Sequence, residues 1–371
     1  VRDLDPGAVE ALLHRARHDV DDGELPSYQL ALARDGEVLL SDTHGAPDAA
    51  RYLLYSVTKA LSAGAAWLLI GDGSLTPETP VVDVVPEFGT NGKEVVTVEH
   101  LMTHTAGFPR APMRPLEGAD RATRVARFAT WRLDWPPGSQ TEYHPTSANW
   151  VLAEVCERIA AASLQDLIAA RILRALSLHS TSLGTSPADA GDIMDVVEIG
   201  AIDPQTAAAL SAVGADTEDL ESAHLVRLND PAVRAAGVPG AGAVGTAADM
   251  ARYFQALLAP ESHRVWDPAV IRDATSNVRC ALIDPWIRVP SNRTLGLRLA
   301  GDDGNAVLRG FGQGVGPKAF GAQGVGGQVA WADPDSGLSF CYLTNGLDAD
   351  PVRSFRRQAG LSALAAACAA G

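Results

Sequence analysis

Ser56-Val57-Thr58-Lys59, followed without a break by Ala60-Leu61-Ser62-Ala63-Gly64-Ala65-Ala66-Trp67-Leu68-Leu69-Ile70, is the stretch on which the reading of this chain turns. The apolar run reads as a helix, and at about 3.6 residues per turn positions i and i+3 share one face. The Ser56 hydroxyl and the Lys59 amine can therefore meet across one turn. A serine hydroxyl is a weak nucleophile at neutral pH and needs a base beside it. A lysine serves as that base when burial or neighbouring charge lowers its pKa, and the apolar residues after Lys59 would bury it. Read alone, the tetrad equally fits a helix cap followed by a surface lysine.

With 371 residues the chain has room for two domains, or one large domain carrying an insertion. Its 46% hydrophobic and 20% charged content is that of a soluble globular chain. A net charge of -15 argues against a nucleic-acid partner and against an anionic membrane surface. No uncharged apolar stretch reaches the roughly 18 residues needed to span a bilayer. The opening residues Val1 to Pro6 carry no apolar signal core, although a signal removed ahead of residue 1 stays compatible with a chain that does not begin with methionine. Cys156, Cys280, Cys341 and Cys368 share no C-x-x-C spacing and read as buried small residues in a reducing compartment. The expected location is cytoplasmic.

Asp5 to Asp21 reads as a helix, with Leu12, Leu13, Ala16 and Val20 on one face. Tyr28 to Ala33 and Glu37 to Ser41 flank Asp35-Gly36, a hairpin signal. From Gly73 to about Leu183 the pattern is mostly helical. The acidic, alanine-rich stretch from Thr185 to Pro231, with Asp216, Glu218, Asp219 and Glu221, reads as a helical flap with a solvated face. Gly237 to Gly242 breaks the chain before a helix from Thr246 to Leu258. Gln328 to Ala332 and Leu338 to Thr344 form a second hairpin signal, and Pro351 to Ala369 a closing helix. The fold class expected is α/β (α+β): an antiparallel sheet built from both chain ends and flanked by helices, with an inserted mainly helical domain. The boundaries are 1–72 and 240–371 for the sheet domain and 73–239 for the helical one.

Three further segments carry chemistry: Leu101-Met102-Thr103-His104-Thr105-Ala106-Gly107-Phe108, then Glu142-Tyr143-His144-Pro145 running on to Trp150, then Phe320-Gly321-Ala322-Gln323-Gly324-Val325-Gly326-Gly327. Together with Ser56 and Lys59 they resemble the serine β-lactamase and penicillin-binding-protein superfamily, closest to class C β-lactamase-like esterases, the family VIII carboxylesterases. The resemblance runs from about Tyr28 to Asn345, with the motifs in family order. The family's Tyr-x-Asn is met by Tyr143, but the third place holds Pro145, which has no amide. The family's Lys-Thr-Gly strand motif aligns with Ala322-Gln323-Gly324, so no cation stands at that position. Similar lactamases and peptidases use that cation to receive a substrate carboxylate. The departures therefore point toward esters without a carboxylate.

The resemblance implies a β-lactamase/transpeptidase-like fold and a carboxylesterase cleaving small or medium acyl esters through a Ser56 acyl-enzyme. Lys59 would take or relay the serine proton, and Tyr143 would be second base and acid for the leaving group. The oxyanion hole would be the backbone N–H groups of Ser56 and Val325, with Gly324 letting the strand approach. Gln323 either bonds substrate or packs. His144 is structural or substrate-lining, and Phe108, Trp150, Trp286, Trp331 and the stretch at Val238-Pro239 are candidate pocket walls that equally fit the core. His100 and His104 have a zinc-compatible i, i+4 spacing. However, Leu101 stands where a metalloprotease has glutamate, and no third ligand is evident, so neither metal nor cofactor is expected. A Ser-His-Asp hydrolase fails for want of a G-x-S-x-G elbow. The alternatives are an acyltransferase or amide-forming relative, a D-aminopeptidase or weak β-lactamase, and a non-catalytic sensor. The oligomeric state stays open.

Overall fold

The structure is a computed structural model that describes residues 4–212 and 225–370. Asp5 opens the first helix by accepting from the Ala8 N–H at 2.7 Å, and Pro6 sits at its first position, giving α1 over Pro6–Asp21. Strands β1 (Tyr28–Arg34) and β2 (Glu37–His44) form the hairpin expected from Asp35-Gly36. Both turn residues have positive φ, 54° and 81°, the backbone that an Asp-Gly pair favours. The remaining strands are β3 (Tyr52–Leu53), β4 (Ser182–Leu183), β5 (Val197–Ile199), β6 (Ala243–Gly245), β7 (Arg298–Leu299), β8 (Phe320–Gln323), β9 (Val329–Asp333), β10 (Leu338–Thr344) and β11 (Gly346–Asp348).

The main sheet has the order β2-β1-β10-β9-β8-β7 with every pair antiparallel. The N-terminal hairpin is joined to the C-terminal one by β1 against β10, from Tyr28 opposite Thr344 to Arg34 opposite Leu338. Every residue of β1 and β10 is buried, so side chains alternate between two covered faces. Leu30, Leu32, Trp331 and Phe340 pack with Leu12 of α1 and Leu361 of the closing helix Pro351–Ala367. Ala31, Ala33, Ala330 and Cys341 face the second core, shared with the helix Ala247–Leu258 and with α2 (Thr58–Gly71). Small residues on that face let the two helices lie close to the sheet.

Two expectations are corrected. Between Gly73 and Leu183 the helices are short pieces, Val81–Val84, Val98–Met102, Arg121–Thr130 and Ser147–Ala160 being the chief ones. Proline and glycine at Pro86, Gly89, Gly92, Pro109, Pro136 and Gly138 keep interrupting them. The acidic stretch is not helical throughout: β5 pairs in parallel with β11, and the helix Pro204–Ala212 follows. Asp216, Glu218, Asp219 and Glu221 lie outside the described residues. A small antiparallel sheet β3-β6-β4, not anticipated, ties the region before α2 to the middle of the chain. Among the described residues no helix is long and apolar enough to cross a membrane. The four cysteines are buried free thiols.

Candidate active site

The nucleophile candidate sits at a corner. Ser56 lies in a 3-10 turn, Tyr55–Val57, that runs directly into α2. Tyr55, just before it, holds φ at 44°, a left-handed backbone that costs a non-glycine residue about 1 kcal/mol or more. Its buried ring keeps the turn in place. Lys59 stays one turn on and its Nζ donates to Ser56 Oγ at 3.0 Å and to the Gly240 carbonyl at 2.8 Å. That carbonyl comes from the Gly237–Gly242 break. A Cβ on Gly240 would lie 2.9 Å from Pro145 O and 3.3 Å from Lys59 Nζ, so only glycine lets this segment press against the amine. Burial pushes the Lys59 pKa down, which favours the neutral, basic amine.

Tyr143 approaches from the loop before the Ser147–Ala160 helix, and its hydroxyl lies 2.7 Å from Ser56 Oγ. Burial pushes its pKa up, but the Lys59 charge, hydrogen bonds from Lys59 and Ser56, and the Arg293 charge outweigh that, so the phenol is more acidic than usual. Lys59 Nζ is 4.9 Å from the centre of the Tyr143 ring. Ser56 Oγ is thus held between two groups that exchange protons, and those groups titrate together.

The opposite wall is the end of β8. Gln323, Gly324 and Val325 line a cleft of about 610 Å³ over Ser56, with Lys59, His104 and Tyr143. A Cβ on Gly324 would meet Leu54 O at 2.9 Å and Tyr55 Cβ at 3.1 Å, so glycine is what brings this strand against the Ser56 turn. Val325 starts the turn Val325–Gly327, and an N–H at the start of a helical turn has no partner within it.

His104 and Trp286 also line the cleft, Trp286 being 48% exposed. His104 is in a left-handed backbone (φ 60°) and its Nδ1 accepts the His144 N–H at 3.1 Å. Its ring centre is 4.8 Å from that of Tyr143, and burial first, then the Arg293 charge, keep it neutral.

Most of the expected pocket residues are elsewhere. His144 is fully buried: Nδ1 bonds the Glu142 carbonyl at 2.7 Å and Nε2 accepts the Phe108 N–H at 3.2 Å. Both nitrogens are thereby used, burial lowers its pKa to about 4, and it ties two loops together instead of facing substrate. Phe108 packs edge-on against Phe88 and against Trp131 in the core. Trp150 is buried under Gly118, where a Cβ would come within 2.5 Å of the indole. Trp331 is buried in the sheet, and the carbonyl of Pro239, next to buried Val238, serves as acceptor for Ser62. His100 spends its Nδ1 on the Thr97 N–H as a helix cap.

Two arginines were not anticipated. Arg293 and Arg298 both line the cleft, on either side of a tight turn at Thr294–Leu297. The segment aligned with the family's Lys-Thr-Gly, Ala322-Gln323-Gly324, carries no charge, but the cleft is not free of cations. The only sequence signal was a pair of arginines five apart around a Thr-Leu-Gly turn, with no helical or strand periodicity to give it direction.

A serine, lysine and tyrosine joined by hydrogen bonds, under a sheet edge made from both chain ends, define a class of acylating serine proteins. The Beta-lactamase family model matches residues 13–365, and the chain belongs to that family. The Esterase/beta-lactamase LipL of Mycobacterium tuberculosis (strain ATCC 25618 / H37Rv) is 26% identical over 352 residues, covering 86% of this chain and 76% of the relative. Esterase EstB of Burkholderia gladioli is 31% identical over 179 residues, 40% of this chain and 44% of its own length. Among solved structures, EstA from Arthrobacter nitroguajacolicus Rue61a superposes with a TM-score of 0.78 at 22% identity, covering 98% of each chain. A family VIII carboxylesterase gives 0.77 at 23%, covering 96% of this chain and 98% of its own. Both share the fold.

Proposed function

We propose that this protein is a serine hydrolase, a carboxylesterase that cleaves small or medium acyl esters through an acyl-enzyme on Ser56. The observation that carries the reading is the Ser56 Oγ held 3.0 Å from Lys59 Nζ and 2.7 Å from Tyr143 Oη beneath an open cleft. Esterase-named relatives in the same family support the choice of ester over amide, as does Pro145 in the place of an amide-holding asparagine.

Ser56 Oγ attacks the ester carbonyl carbon, and its proton passes to the Lys59–Tyr143 pair. The carbonyl oxygen, now anionic, is received by the N–H groups of Ser56 and Val325. One such donor is worth about 2.7–4 kcal/mol of barrier. The C–O bond to the alcohol then breaks, and the alkoxide takes a proton from Tyr143. Water repeats the sequence on the acyl-enzyme and releases the acid. Burial of Lys59 lowers its pKa and so makes the neutral, proton-accepting form available below the ordinary lysine range.

The division into a sheet domain (1–72 and 240–371) and a helical domain (73–239) belongs to this reading, with the cleft lined from both. The buried free cysteines fit a cytoplasmic location. The partner is a small-molecule ester, and the acidic net charge of -15 fits neither nucleic acid nor a membrane surface. Turnover of short-chain p-nitrophenyl esters tests the assignment: Ser56→Ala should lose about six orders of magnitude in kcat. Turnover in that variant close to the wild-type rate would overturn it.

A further inference from the structure

The cleft over Ser56 is lined by four basic side chains, Lys59, Arg110, Arg293 and Arg298, and by two acidic ones, Glu142 and Asp284. That surplus sits in a chain whose net charge is -15. Three of the four cations are occupied. Lys59 donates to Ser56 and Gly240, Arg110 pairs with Glu142 at 2.8 Å, and Arg298 reaches Asp284 at 3.3 Å and the Arg309 carbonyl at 3.4 Å.

Arg293 differs. It is 7% exposed and, among the described residues, its guanidinium forms no ion pair; its Nε, like that of Arg298, is buried with no hydrogen-bond partner. The guanidinium instead lies over a ring face, 5.5 Å from the centre of Tyr143. Asp284, which lines the same cleft and pairs with Arg298, is the carboxylate whose charge it feels, but among the described residues no acid hydrogen-bonds its guanidinium. A buried cation left without a hydrogen-bonded counter-ion is costly, and an anionic ligand would offset that cost.

The residue is also held firmly. Its backbone bonds Cys280 in both directions, at 3.1 and 3.0 Å. The turn after it is pinned to α2, where Trp67 Nε1 donates to the Leu295 carbonyl at 2.9 Å. Gly296, at φ 101°, lies so close to α2 that a Cβ there would be 2.5 Å from Ala63 Cβ. The guanidinium is therefore a fixed feature of the cleft, anchored to the same helix that carries Lys59.

We infer that Arg293 receives a carboxylate on the substrate, so that the esters this cleft prefers carry an acid group. The inference rests on the esterase reading above. A planar guanidinium with free N–H donors matches a carboxylate in a two-point fork, which a lysine does not reproduce. Arg293 borders Tyr143, which hydrogen-bonds the nucleophile, so the acid group would be bound beside the reacting ester.

The test uses matched pairs differing only in charge. With the acid on the acyl side, mono-p-nitrophenyl adipate is compared with its carboxamide analogue. With the acid on the alcohol side, 4-carboxyphenyl butyrate is compared with 4-carbamoylphenyl butyrate. The wild type should favour the carboxylate member of at least one pair. Arg293→Met should lose about tenfold to hundredfold in kcat/KM on that member, with a clearly smaller loss on its amide. Arg293→Lys should recover part of the difference. Equal losses on charged and neutral members of both pairs, or none, would overturn the inference and leave Arg293 a support for Tyr143. If the wild type cleaves none of the four esters, the esterase reading fails separately. The anion site is then read by thermal shift: stabilisation by adipate but not adipamide, abolished in Arg293→Met, supports it, and the lack of such a shift overturns it.

Discussion

Two clefts of nearly equal volume show how the same side chain serves two purposes. One, of about 610 Å³, lies over Ser56; the other, of about 600 Å³, lies between α1 and the closing helix and is lined by Arg15, Arg353 and Arg357 among others. In the second cleft those arginines are matched to carboxylates. Arg15 pairs with Asp19, Arg353 bonds Asp348 at 2.8 Å, and Arg357 lies among Asp19, Glu24 and Asp348 at 3.3 to 3.5 Å. Arg15 and Arg353 pair within their own ends of the chain, and Arg357 joins the two ends through Asp19 and Glu24. In the first cleft Arg293 has no such match. Size and composition do not separate a structural cleft from a binding one here, whereas a buried arginine without an ion pair does: Arg356, which also lines the second cleft, is exposed to water.

The sharpest way to break that contrast is to remove a paired arginine. Arg357→Met would leave Asp19 and Asp348, each about 1% exposed, short of a partner. Breaking a buried pair in this way costs about 3–5 kcal/mol. Urea denaturation should show that loss, while the ratio of activity on charged and neutral esters stays as in the wild type. A loss below about 1 kcal/mol would mean that the second cleft is not held by its ion pairs. Arg293→Met should be milder in the same experiment, because it removes a charge that had no partner to strand.

Acid should separate the two regions next. His144 lies under the active cleft and its pKa is lowered from 6.5 to about 4 by burial. Its neutral form is favoured by folding, so this stability is present above the unfolded value and is lost as pH falls from 6.5 toward 4. The window corresponds to about 3 kcal/mol. His104 acts with the same sign. In the second cleft Asp350 is held below its ordinary 3.8, because backbone and side-chain hydrogen bonds outweigh its burial, so it protonates at lower pH. Unfolding free energies measured from pH 7 to 4 should therefore fall, and proteolysis at pH 4.5 should cut first near the loops joined by His144. A flat profile would show that this imidazole is not held neutral.

Much of this was legible in the residues. The Asp-Gly hairpin, the alternation along Leu338 to Thr344 and the pairing of chain ends rest on short-range rules, and they appear with shifts of a few residues at their ends. Ser56, Lys59 and Tyr143 were legible because the chemistry fixes their types and Ser56–Lys59 their spacing. The pocket walls were not. Phe108, Trp150 and His144 lie in sequence beside site motifs, but an aromatic ring next to a functional loop is as useful for packing that loop, and all three are spent in this way. Arg293 and Arg298 were missed for the opposite reason. Their place depends on a turn at Leu295 to Gly296 that docks on α2, where Leu295 meets Trp67 from 228 positions further along the chain, and no local pattern encodes that contact.

The smallest expected effect bears on what Arg293 does when no charged substrate is present. Its positive charge lowers the pKa of both Lys59 and Tyr143, since a nearby cation disfavours protonated lysine and favours phenolate. Removing it should move both ionisations upward. On a neutral ester, the pH at which kcat/KM reaches half its plateau should thus rise in Arg293→Met, by about one unit or less. A shift of that sign with little change in the plateau would mean that Arg293 tunes the proton pair as well as binding an acid group. A shift to lower pH would contradict the electrostatic account, because a lost cation cannot make either group more acidic.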